Sequence, residues 1–198
     1  MNYTILAGVV AFSAVAAFTP GPNNLLALTS GASYGFRKTL PHVAGVALGF
    51  GAMIVLVGVG IGALFETFPV LYSVLKYCAI AYLLWLAYKI ARSGAIAEGA
   101  APPKPLTFWG SAAFQWINPK GWVAALTVIS TFTDPNAYWS SLFVAAGINV
   151  FMAVSAVSTW AGFGVVVSRW LSSPRRRLVF NITMAVVLVA SVIPSLWH

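Results

Sequence analysis

The chain has 198 residues, of which 60% are hydrophobic and only 7% charged, with a net charge of +8. A soluble domain carries about 25% charged residues, so the composition excludes an ordinary water-soluble fold and leaves a membrane-embedded one. The positive balance does not indicate nucleic-acid binding, because the basic residues lie between hydrophobic runs rather than on the face of a folded domain.

Six runs are long enough to cross a bilayer core, which takes about 20 residues each. In chain order they cover Thr4–Leu28, Pro41–Leu64, Pro69–Lys89, Phe108–Phe132, Tyr138–Val167 and Leu178–Trp197. The N-terminus has no basic n-region, so the first run reads as a permanent span rather than a cleaved signal. The second holds Gly45, Gly49, Gly51, Gly58, Gly60 and Gly62, which predicts close packing of helix backbones. His42, near its start, reads as structural. The third carries Lys76, expected to snorkel toward an interface, and the lone Cys78, which excludes an internal disulfide. Trp139, Trp170 and Trp197 lie near span ends and read as interface anchors.

Loop charges orient these spans. Arg37 and Lys38 fall in the first loop, Lys89, Arg92 and Lys104 at the third, and Arg169, Arg175, Arg176 and Arg177 in the fifth. The second loop has only Glu66 and the fourth only Asp134, and neither terminus carries Lys or Arg. The positive-inside rule puts the basic side in the cytoplasm and both termini outside.

Pro102, Pro103 and Pro105 mark residues 93–107 as a cytoplasmic linker between a first half, 1–92, and a second, 108–198. Three spans per half is an odd number, so the halves are expected to enter the membrane in opposite directions. The first span of each half is broken. The breaks are Thr19-Pro20-Gly21-Pro22-Asn23-Asn24 and Gln115-Trp116-Ile117-Asn118-Pro119-Lys120-Gly121.

Matched breaks in inverted halves point to a transporter binding site near the midplane. Proline lacks an N–H and clashes with the carbonyl four residues back, so Pro20, Pro22 and Pro119 should release the carbonyls of Ala16, Phe18 and Gln115. Asn118-Pro119 reads as a helix N-cap followed by proline at the first helical position. Two helix starts would bring positive dipole ends together, and Lys120 adds a full charge at a depth where a lysine costs roughly 2.5–3.5 kcal/mol. A carboxylate fits there, and freed carbonyls could accept from an ammonium; together these suit an amino-acid zwitterion. Taken singly, each break is better read as a proline kink; two matched breaks with Lys120 favour the site. Tyr82 and Asn149 could line the path, although such a residue is more often an interhelical hydrogen bond.

Enzymatic chemistry has little material. The three carboxylates, Glu66, Glu98 and Asp134, lie in or beside loops. No His, Cys or carboxylate cluster has metal-ligand spacing, and no phosphate-binding loop suggests an ATP-driven pump. No cofactor is expected. The expected partners are a small-molecule amino-acid substrate and lipid, with room for a homodimer.

These motifs resemble the lysine exporter/homoserine–threonine resistance (LysE/RhtB) translocator family. The first break followed by Gly31…Tyr34-Gly35-Phe36-Arg37-Lys38 looks like that family's N-terminal signature. Lys76…Ala81-Tyr82-Leu83 and Asn118-Pro119-Lys120-Gly121-Trp122 look like its third- and fourth-span motifs. The resemblance runs over essentially the whole chain. It implies a six-helix inner-membrane carrier that exports amino acids or related metabolites against proton entry. Ala79 and Ala87 replace glycines of many members, and Phe50 stands where basic-amino-acid exporters place an Asp. With no carboxylate in any span, a lysine or arginine side chain would be unpaired, and the proton carrier stays unassigned.

The expectation is an all-α membrane protein of two inverted three-helix halves. It would export a small neutral amino acid or derivative by alternating access around Pro20–Asn24 and Asn118–Gly121. The alternative is a non-transporting membrane subunit whose breaks serve packing. Transport requires a polar midplane cavity, and a packing role a filled core.

Overall fold

Glycine and proline punctuate an otherwise continuous helical chain, and their positions set the element boundaries. A computed structural model describes residues 3–61, 67, 69–93, 105–171 and 173–190. Eight α-helices follow in order: α1 Tyr3–Phe18, α2 Pro22–Tyr34, α3 Phe36–Leu56, α4 Pro69–Ser93, α5 Phe108–Ile117, α6 Pro119–Phe132, α7 Tyr138–Ser168 and α8 Pro174–Ala190. Most of the linker, the end of the sixth expected span and the Lys76 side chain lie outside the described residues.

Gly35 separates α2 from α3 with φ +82°, a conformation that a side chain disfavours. The second span therefore begins at Phe36, earlier than the expected Pro41, which sits inside the helix. The bond that Pro41 forfeits is to the Arg37 carbonyl. Arg37 and Lys38 are exposed beside it, at the helix end where the charge pattern places water. Val57–Ile61 continues α3 as a π-turn, broken at Gly60 with φ +115°. Thr107 caps α5 by accepting from the Gly110 N–H at 3.1 Å. Asp134 caps the short 3-10 turn Pro135–Ala137 that leads into α7.

The helix α7 is the hub. Its 31 residues span about 46 Å at 1.5 Å per residue, and it packs against α1, α2 and α3. Its buried face is a stripe of small residues, including Ala145, Ala146, Ala153, Ala156, Ala161 and Gly164. Gly31 of α2 lies against the Ala161 carbonyl, and Gly164 against that of Leu28, so the two backbones touch. Gly45 and Gly49 do the same for α3 on α5, fulfilling the close packing expected of that glycine pair. Beyond the hub, α3 packs on α6 and α4 packs on α8.

Large apolar side chains face outward throughout, among them Leu48, Val123, Phe151, Phe163 and Val186, as lipid contact requires. Among the described residues, Phe36–Gly60 and Pro135–Ser168 are each long and apolar enough to cross a membrane, and α1 with α2, bent by 52°, makes a third such unit. The fourth expected span is divided at Asn118 into helices of 10 and 14 residues. The sixth is described as far as Ala190, within the helix Pro174–Ala190.

The ends of the bundle differ in charge. Tyr34, His42, Lys89 and Leu106 line one cavity, so the end of α2, the start of α3, the end of α4 and the start of α5 meet there. Arg37, Lys38 and Arg92 belong to the same helix ends. At the opposite end Tyr138 donates to the Gly58 carbonyl at 2.6 Å and Phe132 meets Gly8 and Phe12; these helix termini carry no Lys or Arg.

A cavity at two helix breaks

The first break is closed by side chains rather than by helix bonds. α1 ends at Phe18, and α2 restarts at Pro22 behind Gly21, with no side-chain cap. Three carbonyls at the break find other donors. Asn24 Nδ2 donates to Ala17 O at 2.7 Å and to Thr19 O at 2.9 Å. Trp160 Nε1 donates to Phe18 O at 3.2 Å. The release of the Phe18 carbonyl was legible from Pro22; those of Ala17 and Thr19 follow from the bend itself. Asn24, only 4% exposed, rejoins the two helices.

The second break is tighter. The Asn118 N–H donates to Gln115 O at 3.2 Å, so the carbonyl expected to be free is occupied. Asn118 does hold the N-cap position of α6, but its side chain makes no capping bond. Its Oδ1 is buried without a hydrogen-bond partner.

The two breaks bond directly to each other. Asn23 Nδ2 donates to Gln115 Oε1 at 2.8 Å, and Gln115 Nε2 returns to Asn23 Oδ1 at 3.3 Å. Lys120 Nζ donates to Thr19 O at 2.8 Å. The lysine thus crosses from the start of α6 to the end of α1, and one of its three protons is used there.

Between the breaks lies a cavity of about 70 Å³, room for several water molecules. Gly21, Pro22, Asn23 and Asn24 line it from one side, and Gln115, Asn118, Lys120 and Gly121 from the other. Asn149 completes the polar wall, with its Nδ2 held by Ala145 O of its own helix at 2.9 Å. Pro20 and Pro119 flank the cavity without lining it. Tyr82 lies elsewhere, its ring tilted against those of Trp85 and Phe114 with ring centres 5.5 Å away in each case.

Ser13 is a lining residue that the sequence did not single out. It is 1% exposed, and its Oγ has no hydrogen-bond partner. A lone hydroxyl in an apolar helix leaves no pattern to read. The rest of the wall is small and apolar, with Ala16, Ala17, Ala124, Ala153 and Ala156, plus Phe50 from α3. Among the described residues no group of three His, Cys, Asp or Glu gathers to hold a metal.

Chemically, the cavity offers one ammonium, two uncapped helix N-termini with their positive dipole ends, and two orphaned oxygens. A family model for the LysE type translocator matches residues 14–191. The chain belongs to the LysE-type translocator family. Its relatives include the cysteine/O-acetylserine efflux protein of Escherichia coli strain K12, 36% identical over 193 residues that cover 96% of each chain. The protein of that name from Shigella sonnei strain Ss046 matches to the same extent, and that of Escherichia coli O139:H28 is 35% identical. No solved structure matches the chain. Membership makes this translocator a membrane transport protein and not an enzyme.

Proposed function

We propose that this translocator exports a small neutral amino acid or derivative across the cytoplasmic membrane, by alternating access of two inverted halves and against proton entry. The observation that carries the reading is the pairing, in one cavity, of the Lys120 ammonium with the orphaned Asn118 Oδ1. A free amino acid presents a carboxylate and an ammonium on one carbon. The carboxylate goes to Lys120 and the starts of α2 and α6. The ammonium donates to Asn118 Oδ1 and Ser13 Oγ, relieving two buried acceptors that each cost about 1–3 kcal/mol when unpaired. The alanine wall leaves room for a short side chain and offers no carboxylate to a basic one. The names of the relatives, cysteine and O-acetylserine efflux proteins, fit that size and charge. A filled core would have favoured the packing-subunit reading.

The packing pairs support two related halves. Exchanging α1, α2, α3 and α4 with α5, α6, α7 and α8 turns the α1–α7 and α2–α7 contacts into α5–α3 and α6–α3, which also exist. The α3–α7 and α4–α8 contacts map onto themselves. The basic bundle end faces the cytoplasm on the positive-inside rule.

The test is efflux from reconstituted vesicles over a panel containing cysteine, O-acetylserine, threonine, lysine and arginine. The expected result is saturable flux of the small neutral members above protein-free vesicles. Absence of any such flux, or preference for lysine or arginine, overturns the proposal.

A further inference from the structure

His42 is 1% exposed and stands in the wall of a second cavity of about 130 Å³ at the basic end of the bundle. Its Nδ1 lies 2.8 Å from Ser111 Oγ, and its Nε2 3.4 Å from the carbonyl oxygen of Asn23. The Asn23 side chain, paired with Gln115, lines the first cavity. The imidazole therefore lines the second cavity and reaches the main chain of a residue that lines the first.

Counting protons over this cluster distinguishes the charge states of His42. The Asn23 carbonyl can only accept, so it needs a proton on Nε2. Ser111 has one hydroxyl proton, with His42 Nδ1 and Thr107 O both 2.8 Å away. The neutral Nε2–H form takes the Ser111 proton at Nδ1, and Thr107 O then keeps only the Ser111 N–H, at 2.9 Å. The neutral Nδ1–H form restores the Thr107 bond but sets the Nε2 lone pair against the Asn23 oxygen. Only the imidazolium makes all three bonds: Nδ1–H to Ser111, Ser111 O–H to Thr107, and Nε2–H to Asn23. The two ring bonds are charge-assisted, and the Ser111 bond is one step removed from the charge.

The geometry points to His42 as the proton-binding residue of the carrier, with Ser111 as its positioning residue and the Asn23 main chain as its link to the first cavity. Protonation adds one hydrogen at Nδ1 and turns the Ser111 hydroxyl from His42 to Thr107, with no bond between heavy atoms changed. Loss of that proton reverses the turn, and the Nε2–H bond to the Asn23 carbonyl then loses its charge assistance.

The surrounding charges suit a proton that must leave. Tyr34 of α2 and Lys89 of α4 share the second cavity, Lys89 Nζ lying 4.1 Å over the Trp85 ring. α3 itself adds the exposed Arg37 and Lys38. α5 presents no titratable group, α6 presents Lys120 in the other cavity, and Tyr138 of α7 is at the opposite end. None is a carboxylate that would fix the imidazolium permanently.

This inference rests on the proposed proton coupling, so its first test is independent of transport. Proton uptake by the purified carrier in detergent, titrated between about pH 4 and 8, should exceed that of His42→Gln by one proton per chain. Equal uptake overturns the assignment even if transport is real. In vesicles where the wild type carries substrate, an outward substrate flux accelerated by an inward proton gradient should lose that acceleration in His42→Gln, the ratio of flux with and without gradient falling to about one. Retained acceleration overturns the proposal. Should His42→Gln prove unstable, Ser111→Ala decides: losing the acceptor for Nδ1–H should move the pH midpoint of uptake about one unit toward acid, and an unchanged midpoint overturns the proposal.

Discussion

Lys120 Nζ donates at 2.8 Å to the carbonyl oxygen of Thr19, a residue 101 positions earlier in the chain. The bond spans the two helix breaks and leaves the rest of the ammonium turned to the cavity. Thr19 O also accepts from Asn24 Nδ2 at 2.9 Å, so it keeps a partner if the lysine is removed.

Lys120→Met should therefore leave membrane insertion and abundance near normal, since it also removes a charge costing roughly 2.5–3.5 kcal/mol at that depth. Efflux per inserted molecule should fall about 10- to 100-fold, the equivalent of one charged hydrogen bond of about 1.5–3 kcal/mol. A structural lysine gives the opposite result, low abundance with normal flux per surviving molecule. Efflux normalised to inserted protein separates the two.

Asn118 gives a second, sharper test. A capping asparagine is worth about 0.5–2 kcal/mol, but this one makes no capping bond and buries an unpaired Oδ1. Asn118→Ala should leave the thermal midpoint in detergent unchanged or slightly higher, while KM for efflux rises about 10-fold. A lowered midpoint with an unchanged KM would return Asn118 to a structural role.

Two glycines distinguish close packing from mere apolarity. A methyl added at Gly49 would lie 2.7 Å from the Ala112 Cα, whereas one at Gly147 meets nothing within 4 Å. Gly49→Ala should lower stability by about 1–3 kcal/mol through overpacking. Gly147→Ala should be neutral or stabilising by up to about 1 kcal/mol, from helix propensity alone. Thermal unfolding of the two variants side by side is the measurement.

The charge difference between the bundle ends predicts topology. Reporters fused at Ala100 should register cytoplasm, and those after His198 the exterior. A cytoplasmic C-terminus would remove the six-span arrangement and the inverted relation of the halves with it.

The sequence by itself determined that this is a helical membrane protein, where its helices break, and which end is basic. Those properties follow from local chemistry: proline has no N–H, and charges must leave the hydrocarbon; the turns at Gly35 and Gly60 emerged only with the fold. It also marked Lys120 and Asn118, because polar groups are conspicuous in apolar runs. Only the tertiary structure decided what those groups meet. Ser13 joins the cavity although nothing nearby announces it, and Tyr82, also polar, packs against Phe114 instead. Lipid-facing and inward faces of these helices are both apolar, as Phe151 and Ala153 on α7 illustrate, so periodicity carries no signal for facing. His42 read as structural because its partners, Ser111 and the Asn23 carbonyl, come from two other helices, 69 and 19 residues away. A hydrogen bond across such a separation exists only once the helices have packed.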